Sequence, residues 1–157
     1  ALFNSLSDLT PSEKILFSWT LSPERVVTNN EFNTPTLERR ISAISLAIKK
    51  GWKVRLCFDP VIIYDNWEKD YGELLNKIIT LLDCNNIYDI TVGVFRMGQD
   101  YFQRIRKSNP HSLEYYKDYV EENKIVTVSQ DDRDRVKTLF ANKLKDYIAD
   151  DKIHFWI

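Results

Sequence analysis

The chain has 157 residues, 43% of them hydrophobic, and a formal net charge of −1. It is one domain or part of a larger one, long enough to bury a sizeable core, and with no global field to draw in nucleic acid, any such contact must come from a local patch. The two cysteines, Cys57 and Cys84, are far apart with no CxxC or CxxxCxxC spacing, so there is no zinc or iron–sulfur signature and the usage fits a reducing cytoplasm; no signal peptide and no apolar run of about 18 residues argues for secretion or membrane spanning.

Residues 1–13 are polar, begin without Met, and read as a flexible edge of something larger. Residues 14–21 form a first strand, stopped by Ser22-Pro23 because proline cannot continue a ladder. Ser22 is placed to cap a short turn over residues 24–27. Thr34-Pro35 reads as a helix start, with Thr at N-cap and Pro at N1. Leu37, Ile41, Ile44 and Ile48 follow at helical spacing, and Gly51 supplies a left-handed C-cap. Residues 53–58 are a second strand, with Cys57 expected as a core thiol. Residues 67–82 are a second helix with Asn66 as N-cap and Leu74, Leu75, Ile78, Ile79 and Leu82 facing inward. Residues 90–95 are a third strand, and residues 99–107 a helix ended by Asn109-Pro110.

Three βα units in succession predict an α/β fold with a parallel sheet. Three cannot close a barrel, so they make half of one or a small open sheet. After Pro110, residues 113–120 are tyrosine-rich and fit strand or helix. Residues 124–129 are a short strand, and Ser129 to Asp132 resembles a capping box. That box opens a helix to about residue 149, with Val136, Leu139, Phe140, Leu144, Tyr147 and Ile148 on one face, before a terminal strand at 153–157. The chain thus divides into an edge (1–13), three βα units (14–110) and a hairpin–helix–strand extension (111–157).

Ligands of parallel α/β sheets sit at the carboxyl ends of the strands. Those ends carry Ser18, Thr20 and Ser22 on the first strand, Asp59-Pro60 on the second and Arg96 after the third. Hydroxyls both donate and accept, although the same residues also end strands and cap turns. Asp59 suits a hydroxyl or an amine, with a plain Asp-Pro turn as the alternative. Arg104, Arg106 and Lys107 form a small basic patch which, with Lys117 and Lys124, is suited to a phosphate backbone or is simply a solvated face. His111 and His154 are isolated and take no role, and no metal-ligand spacing exists.

The strand WTLSPERVV, the helix opening EFNTPTLERR, the stretch GWKVRLCFDPVIIYDNW, the segment ITVGVFRMGQDYFQRIRKSNP and the final helix before KIHFWI occur in an order that resembles the C-terminal half of the spore photoproduct lyases, over about residues 14–157. These are radical S-adenosylmethionine DNA-repair enzymes. The resemblance implies a partial β/α barrel of three βα units plus a hairpin, helix and strand. It implies an S-adenosylmethionine site at Ser18, Thr20, Ser22 and Asp59, and DNA or substrate contacts at Arg96, Arg104, Arg106, Lys107 and Lys124. Arg96 matches the family's arginine and would serve a phosphate or the cofactor carboxylate through its bidentate fork.

The family's CxxxCxxC, which holds a four-iron four-sulfur cluster, belongs to an N-terminal half that is not in this sequence. Neither Cys57 nor Cys84 matches its hydrogen-donor cysteine. The sequence also departs from the family at Ser22, Asp59 and Phe95, and in a shorter, more acidic hairpin at 121–130. The chain alone is therefore expected to be inactive and to bind no cofactor, while the parent protein is a lyase that opens cross-linked thymine dimers in DNA, with a flipped-out lesion and the hairpin as wedge. The competing reading is a non-catalytic module that binds nucleic acid or a partner. A hydrolase using Asp59 has no nucleophile–base pair to support it. Open edges at the first and third strands predict a homodimer, or cover by the tail strand.

Overall fold

The computed structural model describes residues 8–108 and 118–157. Expectations about residues 1–7, Asn109-Pro110, His111, Lys117 and the first part of the 113–120 segment lie outside them. Four strands, β1 (Leu16–Thr20), β2 (Lys53–Val61), β3 (Asp89–Val94) and β7 (Ile153–Trp156), form a parallel sheet in the order β1-β2-β3-β7. Between them run α1 (Glu24–Asn30), α2 (Leu37–Lys49) and α3 (Trp67–Leu81). A second, antiparallel sheet of β4 (Arg96–Gly98), β5 (Val120–Glu122) and β6 (Ile125–Thr127) carries α4 (Gln99–Ser108) and leads into α5 (Gln130–Leu144).

The apolar stripe read for α2 is the buried one: Leu37, Ile41, Ile44 and Ile48 are all at most 8% exposed. The helix ends as its sequence requires. Gly51, at φ 85°, lets its N–H reach the Ile48 carbonyl (2.9 Å) and the Trp52 N–H reach Ala47 (3.1 Å), so two orphan carbonyls are satisfied. Its start lies two residues later than expected. Thr36 is the N-cap and its hydroxyl accepts from the Arg39 N–H, while Thr34 donates to the Glu31 carbonyl instead. Ser22 does not cap α1 either: Pro23 holds that position and no side chain caps it. Asn66 occupies the N-cap position of α3, but in the left-handed region (φ 68°) and without a capping bond.

At α5 Ser129 is the N-cap as expected, with Asp132 answering its hydroxyl rather than its backbone N–H. Ser129 Oγ accepts from the Asp132 N–H (3.1 Å) and donates to the Asp132 carboxylate (3.0 Å). The helix stops at Leu144, short of residue 149, and Tyr147 beyond it is exposed. The tail strand β7 lies beside β3 with Ile90 opposite Ile153, so one of the two expected open edges is covered.

The core is one cluster on one face of the parallel sheet. Val54, Leu56 and Phe58 of β2 and Ile90, Val92 and Val94 of β3 pack with the apolar stripes of α2, α3 and α5. The opposite face carries Ser18 and Thr20, Arg55, Cys57 and Asp59, Thr91, and His154 and Trp156, none of them buried. The Cys57 thiol is therefore not in the core. Strand parity puts it on the polar face, opposite in sense to Leu56 and Phe58, where Ser18 Oγ lies 3.1 Å from its sulfur.

Candidate functional site

The polar face is where a ligand can reach the sheet, and its carboxyl end is built from side chains the topology brings together. Thr20 is exposed at the tip of β1. Its backbone carbonyl is held from behind by Arg40 on α2. The Arg40 guanidinium donates to the Thr20 carbonyl (3.0 Å), the Pro35 carbonyl (2.9 Å), Thr34 Oγ1 (2.8 Å) and the Glu31 carboxylate. Arg40 is 8% exposed, so nearly all its donors are spent on fixing this tip. Ser22, just past the strand, is 5% exposed, unlike the exposed Ser18 and Thr20.

On the neighbouring tips Asp59 and Arg96 meet. Arg96 Nη2 donates to Asp59 Oδ2 at 2.7 Å, and Nη1 donates to the carbonyls of Trp156 (2.5 Å) and Val94 (3.2 Å). One guanidinium thus ties β2, β3 and β7 together. The pair exists because β3 carries glycine beneath it. A Cβ at Gly93 would lie 2.5 Å from Asp59 Cγ and Oδ1 and 2.7 Å from Arg96 Nη1. Both charged groups remain a third or more exposed and so accessible to a ligand. At the other end of this face Arg55 and Asp89 form a two-bond pair, which raises the arginine pKa above its ordinary value, and His154 stands 3.7 Å from the same carboxylate.

Beside the tips of β2 and β3 opens a cleft of about 570 Å³, walled by Ile63, Tyr64, Trp67, Phe95, Tyr119 and Arg135 among others. Phe95 stacks on Tyr119 at 4.6 Å. Burial, and donation to Asp70 (2.9 Å), push the Tyr64 phenol pKa up, so it stays protonated at any physiological pH.

The expected basic residues are elsewhere. Arg104 and Lys107 are exposed on α4 and Arg106 is half-buried there. Lys124, at φ 65°, forms the β5–β6 turn, and its carbonyl accepts from the Gln99 N–H (2.9 Å) at the start of the same helix. Asp59 and Arg96 are therefore in contact, Ser18 and Thr20 share their face, and the basic patch is a separate surface beyond β4. Among the described residues no group of three metal-ligating side chains forms. Two half-buried free thiols on separate elements, Cys57 on β2 and Cys84 in the turn before β3, do not fit a four-iron cluster.

Arg40 and Gly93 were not singled out from the sequence. Gly93 had a signal: a lone glycine within a strand pattern marks a close approach. Arg40 had one as well, an arginine on the apolar stripe between Leu37 and Ile41.

Comparison with known proteins gives this architecture a family. A family model described as spore photoproduct lyase matches residues 1–156. The spore photoproduct lyase of Clostridium acetobutylicum is 37% identical over 59 residues, 38% of this chain and 18% of that protein. That of Bacillus subtilis (strain 168) is 29% identical over 86 residues, 55% of this chain and 25% of that protein. A solved spore photoproduct lyase complexed with dinucleoside spore photoproduct superposes with a TM-score of 0.74 at 16% identity, over 97% of this chain and 47% of that one. A variant with bound AdoMet and dinucleoside spore photoproduct gives 0.68 at 14% identity, over 89% and 43%. The chain spans less than half the length of these relatives. With the parallel sheet and a family match along nearly all its length, the chain belongs to the spore photoproduct lyase family.

Proposed function

We propose that this chain is the C-terminal part of a radical S-adenosylmethionine lyase acting on spore photoproduct in DNA, and that its polar sheet face is the inner wall of a partial β/α barrel. The observation that carries this reading is the grouping of Thr20, Asp59 and Arg96 at the carboxyl end of a parallel sheet whose other face is packed by α2, α3 and α5. The Thr20 hydroxyl and the Asp59 carboxylate would hold the hydroxyl and amine groups of S-adenosylmethionine, with Ser18 deeper on the same wall. Arg96 would serve a carboxylate or phosphate with the donors not committed to Asp59 and to the Trp156 and Val94 carbonyls. The cofactor, when bound, supplies the hydrogen-abstracting radical. The residues of this chain bind and orient. They do not build the iron–sulfur cluster, which this reading assigns to a missing N-terminal half, so the chain alone is inactive.

The outer edge of β1 is unpaired among the described residues. It would pair with that missing half or, in its absence, with a second copy of the chain. The coding sequence upstream of Ala1 tests the reading. A CxxxCxxC there, and conversion of dinucleoside spore photoproduct by the reconstituted whole protein that falls in Thr20→Ala and Arg96→Ala, is the expected result. A gene beginning near Ala1 with no companion half refutes it.

A further inference from the structure

The basic patch contains an aromatic that the charge-based reading passed over. Tyr101 is 54% exposed on α4. The guanidinium carbon of Arg104, one turn on, lies 5.7 Å from the centre of its ring. The helix beneath is fixed: Phe102 is buried, with its ring 6.0 Å from Phe95 and 5.6 Å from Tyr119. Lys107 is exposed on the same helix, and the Gln99–Lys124 backbone bond brings the Lys124 turn to its first residue. Of the acids nearby, Glu122 is paired with Arg133 (2.7 Å), Glu121 accepts from Gln99 of this helix (2.7 Å), and Asp100 is exposed next to Tyr101. A rigidly mounted, exposed ring with Arg104 beside it and Lys107 on the same helix combines a π-face for a base with charge for adjoining phosphates.

We infer that Tyr101 is a stacking platform for an unpaired nucleobase, with Arg104, Lys107 and Lys124 tracking the strand's phosphates. This deepens the reading of that patch as a DNA-facing surface and rests on it. A single strand, or a base turned out of a duplex, exposes the face such a platform needs.

The test is fluorescence anisotropy of the whole 157-residue chain with labelled oligothymidylate and with an abasic oligomer of equal length. Tyr101→Ala is expected to weaken oligothymidylate binding about 5- to 150-fold, the range for loss of one stacked base, and to leave abasic binding unchanged. Tyr101→Phe keeps the ring and the affinity. Arg104→Ala weakens both ligands and lowers the salt slope by about 1. Equal loss on both ligands, no loss on either, or no affinity of the chain for either ligand overturns the inference. Absence of upstream cluster cysteines overturns the radical-enzyme reading while leaving a positive stacking result intact, so the two failures are distinguishable.

Discussion

Replacing Gly93 with alanine isolates what the Asp59–Arg96 pair depends on. Gly93 does not have a positive φ, so alanine costs nothing in backbone conformation. Relief of glycine's chain entropy would favour it by about 0.5–1 kcal/mol. The new methyl, however, would sit 2.5 Å from the Asp59 carboxyl carbon and one of its oxygens, and 2.7 Å from an Arg96 nitrogen. No such approach is tolerated, so both side chains must swing away and the 2.7 Å ion pair breaks. Overpacking of this kind costs about 1–3 kcal/mol. The pair, a third or more exposed, adds only about 0–1 kcal/mol. The net expectation is about 1–2 kcal/mol of destabilisation, a fall in Tm of about 2–8 °C for a chain of this size. Thermal and urea unfolding of Gly93→Ala, Asp59→Ala and the double variant measure it. In the Asp59→Ala background most of the Gly93 penalty should vanish, because the carboxyl atoms in its way have gone and the end of Arg96, freed from Asp59, can move aside. An equal penalty in both backgrounds would show that the methyl strains the strand itself and refute the reasoning.

Arg40→Met should lower stability by about 3 kcal/mol, since it leaves the Thr20 and Pro35 carbonyls and the Glu31 carboxylate without their donor; urea midpoints that match wild type would contradict this. Ser129→Ala removes the α5 N-cap and should cost about 1 kcal/mol, read in the same assay, with Ser129→Asp recovering most of it. Hydrogen bonds from Lys77 and from Arg133 hold the Glu38 and Glu122 carboxyls below their ordinary pKa. Both groups are lowered in the folded state, so their contribution is present at neutral pH and is lost as pH falls through the folded values, below the usual carboxylate range. Unfolding midpoints followed from pH 7 to pH 3 should drop at the acid end, less so in Glu122→Gln; a flat profile would mean that these ion pairs contribute nothing.

The repeating βα pattern and the α5 cap were legible because each rests on local rules: apolar spacing, Gly51 past the end of α2, and Ser129 three residues before Asp132. The start of α2 was misread because Thr34-Pro35-Thr36 offers two plausible caps, and a side chain from the second turn of the helix decides between them. Arg40 takes the Thr34 hydroxyl, leaving Thr36 to cap. Cys57 was misassigned because its own apolar character outweighed its parity: it is in phase with Lys53, Arg55 and Asp59, while Val54, Leu56 and Phe58 meet the stripes of α2, α3 and α5. The Asp59–Arg96 contact joins residues 37 apart, and only the sheet register places them side by side. β4 and β5, three residues each, are too short for a period to show.

The same parity bears on why half of this sheet is polar. Parallel sheets are ordinarily covered on both faces, and their central strands then read as near-continuous apolar runs. Here the central strand β2 alternates Lys53, Val54, Arg55, Leu56, Cys57, Phe58, Asp59, with the even-numbered residues at most 1% exposed. Such alternation in a parallel sheet means that one face was not selected to meet helices. Nor is that face a random solvated surface, because its charges are paired across strands, Arg55 with Asp89 and Asp59 with Arg96, and it ends in a glycine whose missing side chain makes room for the second pair. An ordinary exposed face needs no such steric provision. The ligand wall proposed above would need it, since its groups must be held in place before a ligand arrives and satisfied when it is absent.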